Sequence, residues 1–172
     1  RRRRPRAPLS PACFPSCGSS RRARARISSA LLQLDSHEAL AWIADQFHAS
    51  VDDVRLTPLG GGISNLVILV EAPGIRCVFK QSLERLRVEQ EWLCRRDRII
   101  RESAAIADLA AVLPPGSVPT LVLESPENFL YAMEAAPAEA VPWKSQLLAG
   151  EVRLETAAGA GRLLGTWIRE SA

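Results

Sequence analysis

The sequence predicts an α+β fold: a five-stranded antiparallel sheet, one long helix inserted after the third strand, and further helices behind it. Three observations carry this. Residues 54–80 hold three strand-like runs separated only by short turn-forming stretches, which is the connection antiparallel strands use. A run with helical period follows over 96–113. Two more strand-like runs then flank Ser125-Pro126-Glu127-Asn128, a second hairpin signal.

Each element has a local reason. Asp35 and Glu38 stand at capping-box spacing, and Leu40, Ile43, Ala44 and Phe47 recur on one helical face, which predicts a first helix over 36–48. Strands are expected at 54–59, 66–71 and 75–80. Gly60-Gly61-Gly62 with Ser64 and Asn65 joins the first pair, and Ala72-Pro73-Gly74 makes a tight turn between the second. Residues 81–96 are charged and take no clear period. The helix over 96–113 stops before Pro114-Pro115-Gly116, because proline cannot continue it. Strands are expected at 120–124 and 129–133, then helices at 144–148 and from 152 onward.

Charge divides the chain. Residues 1–26 carry nine arginines and no acid, while the rest carries thirteen basic and nineteen acidic groups, so the net charge of +3 describes neither part. Residues 1–34 are therefore read as an Arg/Pro/Ser-rich disordered tail, because like charges oppose packing. A nucleic-acid arm, an organelle transit peptide, or upstream sequence foreign to the domain all fit that composition, and the last is favoured. Cys13 and Cys17 form C-x-x-x-C without a second ligand pair at zinc spacing, so no metal site is expected. Cys77 falls in a strand pattern and reads as a small core residue. No apolar run approaches the roughly 20 residues of a membrane span, so a cytoplasmic protein is the expectation.

Two residues could carry chemistry. Lys80 closes the third expected strand, sharing a face with Val78, while Cys77 and Phe79 share the other. Glu102 lies three residues after Ile99 and four, seven and eleven before Ile106, Leu109 and Leu113, which puts it on the apolar face of the long helix. A carboxylate buried there without a partner would cost several kcal/mol. A Lys80–Glu102 pair answers that cost. A Glu at the helix rim, paired with Arg98 or in water, answers it equally well.

The ordered set of Gly60-Gly61-Gly62-Ile63-Ser64-Asn65, Val78-Phe79-Lys80-Gln81, Asp97-Arg98-Ile99-Ile100-Arg101-Glu102 and Tyr131-Ala132-Met133-Glu134 resembles the protein-kinase-like small lobe. In detail it is similar to the aminoglycoside phosphotransferase and choline kinase superfamily, above all its methylthioribose-kinase-like bacterial members. The resemblance covers about residues 36–171. It implies an ATP-binding lobe with hinge over 35–136 and the start of a helical large lobe over 137–172. It implies that Gly60, Gly61, Gly62, Ser64 and Asn65 cover phosphates. Lys80 would neutralise them, with Glu102 positioning it. Met133 would sit behind adenine, and the Glu134 and Ala136 backbone would bond its edge.

The complete enzyme would move a phosphoryl group from ATP to a hydroxyl of an amino sugar, thiosugar or amino alcohol, with Mg²⁺. The family's catalytic loop, H-G-D-x-x-x-x-N, and its later metal-binding Asp have no counterpart here. His37 and His48 precede the glycines and the last Asp is Asp108. The expectation is a truncated, nucleotide-binding chain that does not catalyse transfer by itself. A non-catalytic regulatory remnant is the alternative, and an Arg-tail nucleic-acid-binding protein a more distant one, because the folded part is acidic and poor in aromatics.

Overall fold

A computed structural model describes residues 31–60 and 62–171. Gly61, Cys13, Cys17 and nearly all of the expected tail lie outside them. The chain runs α1 (His37–Gln46), a 3-10 turn (Val51–Asp53), β1 (Arg55–Pro58), β2 (Asn65–Ala72), β3 (Ile75–Ser82), α2 (Arg98–Val112), β4 (Leu121–Ser125), a 3-10 turn (Pro126–Asn128), β5 (Leu130–Glu134), α3 (Trp143–Leu148) and α4 (Leu154–Glu170). The five strands form one antiparallel sheet in the order β1-β2-β3-β5-β4. The β4–β5 hairpin docks on β3 through its second strand, so α2 crosses over β5 before the chain enters the outer strand. Gly74, at φ 74°, makes the β2–β3 turn in a conformation that disfavours side chains.

Period-two alternation divides the sheet into two unlike faces. Leu66, Ile68 and Val70 of β2 and Cys77 and Phe79 of β3 are buried on one face with Leu130 and Ala132. The apolar stripe of α1 closes that face through Ile43 and Ala44. Trp42 and Phe47 meet the Phe79 ring edge-on, with centroids 6.3 and 6.0 Å away. Such pairs add about 0.5–1.5 kcal/mol each beyond the area they bury. The opposite face carries Val67, Val78, Lys80, Tyr131 and Met133, and α2 packs there against β3, β4 and β5. Apart from Tyr131 these residues are only half-buried.

Several expectations shift. The folded part starts before Asp35: Leu34 is buried in the core, and its N–H donates to Gln81 Oε1 at 2.9 Å. Gln81 Nε2 donates to the carbonyls of Leu32 (2.6 Å) and Asn128 (2.9 Å), and Leu32 N–H donates to Asn128 Oδ1 at 3.1 Å. A fully buried amide thus straps residues 32–34 to the sheet. The helix cap is Ser36, not Asp35. The Glu38 carboxyl is held below its usual range by its own backbone N–H and then by the Ser36 hydroxyl. Lys80 does not close its strand, because β3 continues through Gln81 and Ser82, which pair with Leu130 and Asn65. Ser82 is held there by its Oγ–H, which donates to the Arg96 carbonyl at 2.7 Å.

The charged stretch after β3 folds back on itself. Leu86 N–H donates to Trp92 O (2.9 Å) and Cys94 N–H to Glu84 O (2.8 Å). In α2 only Ile99 and Ser103 are buried, while Ile106, Leu109 and Leu113 stay half-exposed. No residue of α3 or of α4 is buried among the described residues.

Candidate functional site

The site forms where β3, α2 and β5 meet on the half-buried face. Burial of Phe79 and Gln81 on the core face obliges Lys80 to point the other way. Buried Ile99 and Ser103 fix the rotation of α2, and Glu102 follows on the side turned to the sheet. Lys80 Nζ donates to Glu102 Oε1 in a close ion pair. Their side chains are 21% and 38% exposed, so Glu102 sits at the rim of the packed surface rather than within it. Water still screens the pair, which limits its net contribution to about 1 kcal/mol.

A third group completes the arrangement. Tyr131 lies directly across from Lys80 in the β3–β5 register, and its Oη–H donates to the same Glu102 Oε1 at 3.0 Å. Burial pushes the phenol pKa up, and the adjacent Glu102 charge and its hydrogen bond push it further. Tyr131 is therefore a neutral donor across the physiological range. Glu102 is gripped from two strands while its helix supplies the third support.

The glycine loop rises from the same end of the sheet. Leu59 N–H donates to Val67 O at 2.8 Å and closes its base. Val67 is the cross-strand partner of Lys80, so the stem residue Asn65 lies two residues, about 7 Å, along β2 from it. Neither packing nor a positive φ demands glycine at the described positions. A Cβ on Gly60 would meet nothing within 4 Å, and one on Gly62 only Asn65 O at 3.4 Å. The stem is firmly held: Ser64 O accepts from Leu83 N–H (3.0 Å) and Ile63 O from Arg87 N–H (2.8 Å). The Arg98 guanidinium also donates to Ser64 O and, at 3.3 Å, to Asn65 Oδ1.

At the other end, Met133 of β5 faces Val78 on one side and Leu121 on the other. Glu134 N–H donates to Thr120 O at 2.8 Å, which ties the end of β5 to the residue before β4. The Ala136 carbonyl accepts from Arg76 Nη1, and that bond fixes the orientation of its peptide. Lys80, Met133 and Asn65 therefore share one face of the sheet, and Glu102 of α2 meets Lys80 over it. Glu134 and Ala136 are exposed at its margin.

Two shallow concavities lie elsewhere. One, of about 490 Å³, runs between Ile106, Ala110 and the Pro114–Leu121 segment. The other lies beside Arg96 and Phe129. Neither is lined by Lys80. Among the described residues no group of three or more potential metal ligands occurs, and no helix is long and apolar enough to cross a membrane.

Three residues of this region escaped sequence reasoning. Tyr131 had a signal, being the only tyrosine in the chain and needing a hydrogen-bond partner if buried. Arg98, an alternative partner for Glu102, turns to the loop stem instead. Gln81 is the hub of the strap. No known family model matches the chain, and no curated protein does.

Proposed function

We propose that residues 31–136 are a nucleotide-binding lobe of the kinase-like type, of the kind found in the aminoglycoside phosphotransferase and choline kinase superfamily. The observation that carries this is the Lys80–Glu102 pair. It bridges the middle strand and the long helix on the same face as the glycine-loop stem and Met133. A structural ion pair has no need of that company. A nucleotide does: it needs a cation for its phosphates, a backbone lid without side chains, and an apolar strip for its base.

The residues fit such a ligand. Val67, Val78 and Met133 are half-buried apolar side chains beside Lys80, able to take a planar base. Glu102 keeps the Lys80 ammonium oriented without neutralising it fully, because water screens their attraction. The glycines at 60 and 62, not required by the fold, would let successive N–H groups approach the phosphates. Bound Mg²⁺-ATP would supply the transferable phosphoryl group. This chain's residues bind and orient it, and no residue is assigned the role of acceptor-side base or metal ligand. In the complete family reaction the acceptor would be a hydroxyl of a small amino sugar, thiosugar or amino alcohol.

Calorimetric titration of the chain with ATP, with and without Mg²⁺, tests the reading. Saturable binding is expected, weakened at least about tenfold in Lys80→Ala, or about 1.4 kcal/mol. A folded wild-type chain that binds no nucleotide, or a Lys80→Ala variant of equal affinity, refutes it.

A further inference from the structure

We infer that Arg98 is a positioning residue that orders the Ser64–Asn65 stem for the nucleotide phosphates by clamping it to the start of α2. The inference rests on the nucleotide-binding reading. Arg98 is the first residue of α2, and its guanidinium reaches three separate segments. Nη2 donates to Ser64 O and to Asn65 Oδ1 (3.3 Å) in the stem. Nη1 and Nη2 both lie 3.2 Å from Leu83 O, just after β3. Nη1 donates to Arg95 O at 2.6 Å. All four acceptors are neutral oxygens, and the one nearby carboxylate on the same helix, Glu102, is held by Lys80 and Tyr131.

Geometry turns this clamp into a link between the two halves of the site. Glu102 follows Arg98 by four residues, one helical turn further along the same side of α2. The helix therefore holds the Lys80 partner with one side chain and the lid stem with the other. A shift of α2 moves both together. The planar fork matters more than the charge, because only a fork spans Ser64, Asn65 and Leu83 at once. Lysine at 98 would keep the charge but lose the rigid planar fork that spans these acceptors.

The test compares ATP with adenosine, which lacks phosphates, on the full chain. In Arg98→Lys and Arg98→Ala, ATP affinity should fall at least fivefold while adenosine affinity stays within twofold. Hydrogen exchange in the nucleotide-free protein should rise for the amides around the stem, Ile63 to Asn65, and remain unchanged in the middle of α2. If Arg98→Ala does not fold, Asn65→Ala removes one acceptor and should show the same ATP-selective loss at smaller size. Equal losses for ATP and adenosine, full recovery in Arg98→Lys, or unchanged ATP affinity overturns the inference. A wild-type chain that binds neither ligand overturns the functional reading itself.

Discussion

The sharpest test of the site's construction is Tyr131→Phe, which deletes one oxygen and leaves the ring in place. The lost contact is a hydrogen bond from a neutral phenol to a carboxylate at 3.0 Å. Bonds to charged groups are worth about 1.5–3 kcal/mol when water is excluded. Glu102 is 38% exposed, so water replaces part of that loss, and the expected destabilisation is about 1 kcal/mol. Urea denaturation at pH 7 should show it as a lower midpoint with unchanged slope, and the melting temperature should drop by about 3 °C.

The coupling is as informative as the loss. In a Glu102→Leu background the same change should cost less than half as much. The alkaline limb adds a signature of its own. The phenol pKa is raised in the folded state from 10.0, so folding favours the protonated form. The stability this contributes is fully present below pH 10 and declines as pH rises through the folded value. Tyr131→Phe should flatten that decline. The Cys77 thiol, raised by burial from 9.0 to about 11, should leave its own smaller slope in both proteins. A variant as stable as wild type at pH 7, with an unchanged alkaline limb, would refute the account of how Glu102 is held.

Two further outcomes follow from other parts of the fold. Gln81→Leu keeps the volume but strands the Leu34 N–H and the Leu32 and Asn128 carbonyls, so urea titration should show a loss of about 3 kcal/mol; a loss under 1 kcal/mol would mean the strap is not bonded as described. In a Cys13→Ser/Cys17→Ser chain at pH 8, an aromatic disulfide reagent should modify half-exposed Cys94 at least about a hundredfold faster than buried Cys77; equal rates would contradict the burial of β3.

Much of the fold was legible because its signals are local. The strands between 54 and 80 alternate with period two and are punctuated by Gly and Pro, and each appears within two residues of its expected ends. The long helix and second hairpin follow from the same kind of pattern. What was illegible depends on partners distant in sequence. Leu34 reads as the end of the tail because the Leu31-Leu32-Gln33-Leu34 cluster is too short to show a period; what fixes it is Gln81, 47 residues away. Lys80 looked terminal because polar Gln81 and Ser82 follow it, yet both are buried by bonds from outside the strand. The rivalry over Glu102 was similar. Helical spacing makes Arg98 its natural i, i+4 partner, and only tertiary geometry turns Arg98 toward Ser64 and hands Glu102 to Lys80 and Tyr131.

These non-local bonds bear on how the site keeps its shape. Lys80 and Glu102 are joined by a screened, partly exposed pair that by itself would let either side chain wander. Their order comes from their neighbours. Gln81, the next residue after Lys80, is anchored from the core side by the strap. Tyr131, across the strand, holds the carboxylate. Arg98, one turn before Glu102, ties the helix to the loop stem. In the proposed function, that face would then present a fixed cation and a fixed loop stem to the nucleotide. The dependence runs in a definite direction. Breaking the strap should loosen the whole sheet, breaking the Tyr131 bond should loosen the carboxylate, and breaking the Arg98 clamp should loosen the lid alone. If the nucleotide-binding proposal holds, only the last two leave a folded protein whose affinity for ATP changes more than its stability.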